Sequence, residues 1–274
     1  MYFWCMICFP NAKINIGLNI IEKRADGFHN LESVFYPICW SDALEAVPSK
    51  EFQFASSGLI IPGDSDNNLI VKAYALIDSL RAEKSPISIH LHKVIPMGAG
   101  LGGGSADGAF ALKLFNELLE LGLSNRDLKN IAAQLGSDCP FFIDNKPVLA
   151  YDRGIFFKEI KLNLSGFYIV CVNPGVHIST TEAYNSILPK RPSEQLEELI
   201  KLPVEDWEGK VVNDFEKPML MKYPVLNEVK KRMYATGASY VSMTGSGSTF
   251  YGIFRNEPQI KNQFEGMTVW EGRL

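Results

Sequence analysis

Between residues 96 and 107 the chain reads Pro-Met-Gly-Ala-Gly-Leu-Gly-Gly-Gly-Ser-Ala-Asp, with five glycines in the seven positions from Gly98 to Gly104. Glycine at that density destabilises the interior of a helix or strand, so the stretch is a loop. Its flanks say what it joins. Ile87, Ile89 and Leu91 alternate before it, and Ala109, Leu112, Phe115 and Leu119 follow at helical spacing. The pattern predicts strand, glycine loop, helix start, with Ser105 as N-cap and Asp107 in the first turn. Uncovered backbone N–H groups and the positive end of a helix together make a cradle for an anion, most often a phosphate.

Two familiar phosphate-binding devices fit poorly. No Walker A pattern, G-x-x-x-x-G-K-[ST], occurs in the chain. A G-x-G-x-x-G is formally present at Gly98, Gly100 and Gly103. The acidic residue that should follow a second strand about twenty positions on is missing. Glu117 and Glu120 lie inside the helical pattern instead, and Pro96 interrupts the turn from strand to glycine.

The chain has 274 residues, is 46% hydrophobic and carries a formal charge of −4, which suits a soluble protein with a substantial core. No basic stripe appears, so nucleic acid is not expected as a partner. No apolar run reaches the length of about eighteen residues that would suggest a membrane span. The odd count of five cysteines predicts reduced thiols and a cytoplasmic setting, and the Cys5-x-x-Cys8 pair has no second pair to make a metal site. Residues 1–10 are strongly apolar without a charged leader or cleavage site, and read as a buried first strand.

From 12 to 20 the chain alternates: Ala12, Ile14, Ile16, Leu18 and Ile20 on one face, Lys13, Asn15, Gly17 and Asn19 on the other. The polar face reads equally as a solvated edge or as part of a site. Asp26-Gly27 marks a tight turn that presents Phe28 and His29. Strands are expected over 33–47, 51–55 and 86–94, and a helix over 69–80. The helix after the glycine loop should run to about residue 121, and a second one from Asn125 to Leu135, capped by Gly136 and stopped by Pro140. Asp138 then sits in a constrained turn before an aromatic run. Further strands are expected over 147–160, around an Arg153-Gly154 turn, and over 167–172. Ser179 to Glu182 is a capping-box pattern opening a helix that carries Tyr184. Residues 189–211 read as polar surface connections, and Pro224 opens a helix to about residue 234. Two strands, 240–243 and 250–254, flank the loop Thr244-Gly-Ser-Gly-Ser248.

Pro96-x-x-x-Gly100-Leu101-Gly102, followed by small residues that open a helix, resembles the phosphate loop of the GHMP kinases (galactose, homoserine, mevalonate and phosphomevalonate kinases and relatives). Pro10-Asn-Ala-Lys-Ile-Asn15 and Thr244-Gly-Ser-Gly-Ser248 resemble the other two motifs of that superfamily, in the same order. Gly102-Gly-Gly-Ser105, Asp26-Gly-Phe-His29 and Ser137-Asp-Cys-Pro-Phe-Phe142 narrow the likeness to the branch that phosphorylates a cytidine diphosphate-linked polyol in the non-mevalonate route to isoprenoid precursors. The departures are Ala106 where a second Ser is frequent, Phe28 where Tyr is common, and residues 150–157, which lack the usual Gly-rich, Glu-containing pattern and leave Arg153 without a role.

The resemblance implies an α/β (α+β) two-domain GHMP kinase fold with the active site in the interdomain cleft. Residues 1–158 would form the N-terminal domain with the phosphate loop, and 159–274 the C-terminal one. It implies ATP and Mg2+ as cofactors and transfer to the 2-hydroxyl of a small cytidine diphosphate substrate. It involves no nucleic acid and no membrane, and is compatible with a homodimer. Lys13 and Asp138 would be catalytic, Asp138 taking the hydroxyl proton. Pro96, Met97, Gly98, Ala99, Gly100, Leu101, Gly102, Gly103, Gly104, Ser105 and Ala106 would hold ATP. Asn15, Phe28, His29, Tyr184, Gly245 and Ser246 would hold the acceptor, with Phe28 and Tyr184 on the two faces of the cytosine and His29 hydrogen-bonded to it. Another GHMP small-molecule kinase and a non-catalytic ligand-binding member are the alternatives. Phe28-His29 with Gly103-Gly104 argue against the first, and retention of Lys13 and Asp138 against the second.

Overall fold

The computed structural model describes residues 5–82, 84–260 and 263–274. In chain order the elements are β1 (Met6–Cys8), β2 (Asn11–Lys23), β3 (His29–Ser41), β4 (Ala43–Pro48), β5 (Gln53–Gly58), α1 (Leu69–Ser79), β6 (Ile87–Lys93), α2 (Gly103–Leu118), α3 (Asn125–Leu135) and α4 (Cys139–Asp144). Then come β7 (Val148–Asp152), β8 (Phe156–Glu159), β9 (Tyr168–Asn173), α5 (Thr180–Asn185), α6 (Leu196–Leu199), α7 (Glu216–Lys222), α8 (Pro224–Ala235), β10 (Tyr240–Met243), β11 (Phe250–Phe254) and β12 (Thr268–Arg273). They form two compact units, each drawn from separated stretches of chain.

The first unit takes the segment ending at Ala12, Trp40–Met97 and Gly102–Lys146. Its sheet runs β1-β4-β6-β5, antiparallel except for the β5–β6 pair. Strand β6 shows why it folds as it does. Ile87, Ile89 and Leu91 point inward at period two, His90 and His92 outward, and the next inward position is Lys93. Helix α2 packs on α1, α4 and β4 with Ala109, Leu112 and Phe115 buried.

Several local expectations are corrected here. The first strand is an edge strand: among the described residues β1 pairs only β4, and Ile7 is 57% exposed; residues 1–4 lie outside the described residues. The strand expected over 33–47 breaks at Asp42, which is buried. Helix α2 starts at Gly103, not after Ser105, because Gly102 adopts a left-handed φ of 69° at the N-cap, which glycine allows at little cost. Ser105 is therefore inside the first turn and Asp107 lies beyond it. Gly136 does cap α3, but Pro140 does more than stop it. It occupies the first turn of α4, where its missing N–H costs nothing, and Asp138 becomes that helix's N-cap residue.

The second unit takes Lys13–Cys39, Gly98–Leu101 and Pro147–Leu274. It holds two sheets, β2-β3-β7-β8 and β10-β11-β9-β12, the latter antiparallel throughout. Its core joins Leu18, Ile20 and Leu31 to Val170, Val172, Leu226, Val229, Met233, Phe250 and Phe254. Strand β2 is buried on both faces as far as Ile20, so its polar residues are not a solvated edge. Residues 189–211 are not merely surface connections either. Leu196 and Trp207 are fully buried, and the indole meets Tyr240 edge-on at 5.4 Å. Among the described residues no helix is long and apolar enough to cross a membrane.

Candidate active site

Strand β2 carries Lys13 and Asn15 into the interior, 4% and 2% exposed. Burying such groups is costly unless they are hydrogen-bonded, and they are. The Lys13 ammonium donates to Asn15 Oδ1 (2.5 Å) and lies 4.7 Å from the centre of the Phe35 ring. Asn15 Nδ2 donates to Ser33 Oγ (2.8 Å), which donates in turn to the carbonyl of Gly17 (2.6 Å). The Asn15 backbone N–H donates to Thr244 Oγ1 (3.0 Å), and its carbonyl accepts from the Tyr251 hydroxyl (3.0 Å).

Thr244 links this strand to the glycine loop: its hydroxyl donates to the carbonyl of Gly100 at 2.9 Å. The backbone N–H of Lys13 reaches Leu101 O (2.9 Å), and that of Thr249 reaches Ala99 O (3.3 Å). Gly100 has φ +79°, and a Cβ there would stand 2.0 Å from the Thr244 carbonyl oxygen, so only glycine fits. Asn213 Nδ2 braces the same turn from behind through the carbonyls of Met243 (2.7 Å) and Gly245 (2.9 Å). Lys13, Asn15, Ala99, Gly100, Leu101 and Gly245 thus belong to one hydrogen-bonded assembly within the second unit, with Gly98 and Ser246 adjacent to it in the chain. Of the two residues that hold it together, Thr244 opens the third family motif, whereas Asn213 carried no signal in the sequence beyond its place beside an Asp.

In the first unit the other half of the loop opens α2. No side chain caps that helix, which leaves its first N–H groups to other acceptors. Burial pushes the Cys139 thiol up to about 12, with the Ser105 hydroxyl acting the other way; Asp138 is the preceding residue, at the N-cap of α4 without capping it. Beneath the loop, Lys93 is fully buried between two carboxylates, hydrogen-bonding Asp42 and Asp107, the latter at 2.8 Å. Asp42 Oδ1 accepts from the N–H groups of Val94 (2.6 Å) and Ile95 (2.9 Å), fixing the chain just before Pro96. Burial raises the Asp107 carboxyl above the usual carboxylate range, although Lys93 pulls the other way. The sequence did hold a sign of this triad: a lysine at an inward position of an apolar strand requires buried partners. A cavity of about 320 Å³ in this unit is lined by Phe54, Asn67, Asn68, Met97, Gly104 and Asp107.

The turn over 24–27 forms as expected, with Gly27 at φ +85° and its N–H on Arg24 O (3.2 Å). Asp26 accepts from the N–H of Phe28 (3.1 Å), whose ring is 55% exposed. His29 stacks on Tyr184, 4.7 Å between centres and 29° between planes, and Tyr184 meets Phe215 edge-on. Partial burial, and then the charge of Lys23, hold the His29 imidazole below its ordinary pKa, so it is neutral at pH 7.

The description "GHMP kinases N terminal domain" matches residues 68–146 and "GHMP kinases C terminal" matches 192–268. The chain is a GHMP kinase. A 4-diphosphocytidyl-2-C-methyl-D-erythritol kinase of Cytophaga hutchinsonii is 48% identical over 255 residues, covering 93% of this chain and 94% of that protein. Its counterpart in Parabacteroides distasonis is 46% identical over 271 residues, covering 98% and 100%. Among solved structures, a 4-(cytidine 5'-diphospho)-2C-methyl-D-erythritol kinase superposes with a TM-score of 0.77 at 31% identity, over 90% of each chain. The expected α/β fold with N- and C-terminal GHMP kinase domains is borne out.

Proposed function

We propose that this GHMP kinase transfers the γ-phosphoryl group of ATP to the 2-hydroxyl of 4-diphosphocytidyl-2-C-methyl-D-erythritol, a step of the non-mevalonate route to isoprenoid precursors. The observation that carries the reading is the joining of the family's three motifs: the segment with Lys13 and Asn15, the glycine loop and the Thr244 turn share hydrogen bonds within one unit. The names of near-full-length relatives supply the acceptor. Residues 1–158 and 159–274 are taken as the two family domains.

Phosphoryl transfer asks for positioning and for charge cover more than for covalent chemistry. The N–H groups of residues 98–105 surround the triphosphate, and the cavity beside Met97 and Gly104 takes the nucleoside end. Mg2+ suits this arrangement, because that ion is commonly held by nucleotide phosphates, waters and one or two protein oxygens. Among the described residues no group of three or more His, Cys, Asp or Glu is placed to hold a metal. The Ser105 hydroxyl would be the protein oxygen that helps hold it, and the ion when bound would supply charge neutralisation at the phosphates. Asp138 accepts the proton of the acceptor hydroxyl, and the Lys13 ammonium stabilises negative charge developing on that oxygen. Asn15 orients the polyol. Gly245 and Ser246 present backbone N–H groups to the diphosphate, and Phe28, His29 and Tyr184 take the cytosine.

The test is a coupled assay of ADP release with ATP and the cytidine substrate, on the wild-type chain and on Asp138→Asn. Loss of a positioned base should lower kcat by about 10²–10⁴, with both ligands still bound in calorimetry. Near-normal kcat in the variant overturns the assignment of Asp138. Transfer to a different alcohol in preference to this one overturns the substrate.

A further inference from the structure

Arg153 was left without a role by the sequence, yet it stands beside the residues assigned to cytosine. It lies in the turn between β7 and β8, where Gly154 at φ +78° donates to Tyr151 O (3.1 Å). Its guanidinium carbon is 4.8 Å from the centre of the Phe28 ring. The side chain is half-buried, and its Nε–H is fully buried with no hydrogen-bond partner among the described residues. A buried donor left unmade is costly, and in native proteins it asks for an explanation.

The neighbouring arginine shows the contrast. Arg24 uses Nε on Asp26 (3.1 Å) and Nη1 on Asn30 (3.0 Å) and Asp152, so its donors and its charge are engaged. Arg153 feels the charge of Asp26, but that carboxylate is already held by Arg24 and by the N–H of Phe28. A planar cation with an unmade donor therefore rests on an exposed aromatic ring next to His29. Stacking on Phe28 fixes the guanidinium plane, so little freedom is lost when it binds.

We infer that Arg153 is a substrate-binding residue, donating to an acceptor oxygen of the cytidine nucleotide while its guanidinium extends the aromatic platform of Phe28. This deepens the proposed function and rests on it. The acceptor is either the base carbonyl or a phosphate oxygen of the same molecule, and the experiment separates them.

Arg153→Ala and Arg153→Lys are compared with wild type in KM for the cytidine substrate, KM for ATP, and affinity for CDP and for cytidine by calorimetry. One charge-assisted hydrogen bond corresponds to roughly tenfold or more. Arg153→Ala should therefore raise KM for the cytidine substrate at least about tenfold and leave KM for ATP unchanged. Arg153→Lys, which keeps the charge but not the planar fork, should recover only part of the loss. Weakened binding of CDP alone assigns the contact to phosphate; equal weakening of cytidine assigns it to the base. A KM for the cytidine substrate within twofold of wild type, or an equal rise in KM for ATP, overturns the inference. If the wild-type chain fails to phosphorylate the substrate, the functional reading falls by itself, and an unchanged CDP affinity in Arg153→Ala then overturns this one separately.

Discussion

Replacing Lys93 by Met tests the ionic group beneath the glycine loop. Met keeps the aliphatic stem and removes the ammonium, leaving Asp42 and Asp107 buried, both within 5% of full side-chain burial, with no cation between them. Removing one partner of a buried ion pair typically costs about 3–5 kcal/mol. At about 2–4 °C per kcal/mol for chains of this size, the melting temperature at pH 8 should fall by roughly 10 °C. The pH dependence fixes the sign. Burial pushes Asp107 up to about 7, so the folded state binds a proton that the unfolded state releases. That contribution is full below the usual carboxylate range and is lost as pH rises through about 7. Without Lys93 the proton is held more tightly, so the penalty of Lys93→Met should shrink between pH 8 and pH 5.5. Adding Asp42→Asn and Asp107→Asn should restore stability, since Asn at 42 can still accept from Val94 and Ile95. Urea unfolding at the two pH values reads all of this. A penalty below about 1 kcal/mol at pH 8, or one that grows on acidification, refutes the reasoning.

His29→Ala should raise KM for the cytidine substrate about tenfold, the scale of one hydrogen bond, and leave KM for ATP alone; a rise in the ATP value instead would remove His29 from the base pocket. In the wild type, KM for the cytidine substrate should rise on acidification with an inflection below 6.5, because the lowered imidazole pKa keeps the ring neutral above it. Gly100→Ala combines backbone strain with a Cβ 2.0 Å from the Thr244 carbonyl, whereas Gly122→Ala, at φ +66° with nothing within 4 Å, carries strain alone. Strain is worth about 1–2 kcal/mol, so Gly100→Ala should unfold at clearly lower denaturant and show a higher KM for ATP; equal stability of the two variants would mean the close approach is absent.

Local periodicity carried much of the fold. Helix α3 falls where its apolar spacing and the following glycine put it, and the strands that flank the 244–248 loop, β10 and β11, lie as their apolar runs predict. Long-range effects were not legible. A strand that alternates in type can still be buried on both sides, as β2 is, because the Asn15 side chain finds Ser33 and its backbone finds Thr244, 229 residues away. Strand β12 is mostly exposed and has no apolar alternation to mark it in the sequence. The start of α2 departs from the Ser105 cap that residue type alone suggests, because a left-handed glycine takes the cap position. Arg153 stands where the sequence departs from the family pattern, and its meaning lies in what it touches.

The interleaving of the two units has a consequence for how the protein is made. The chain crosses between them five times, twice at the glycine loop, before Gly98 and after Leu101. As it leaves the ribosome, the unit that ends at Lys146 can close first. Leu18, Ile20 and Leu31 emerge early, yet the partners they pack on extend to Phe254 and Phe264. At about 5–20 residues per second that interval is on the order of ten seconds or more. During it, one of the most deeply buried strands of the molecule waits without its core. A fragment beginning at residue 159 would face the matching deficit permanently: its four-stranded sheet would be complete, but β2 and β3 would be missing from its core.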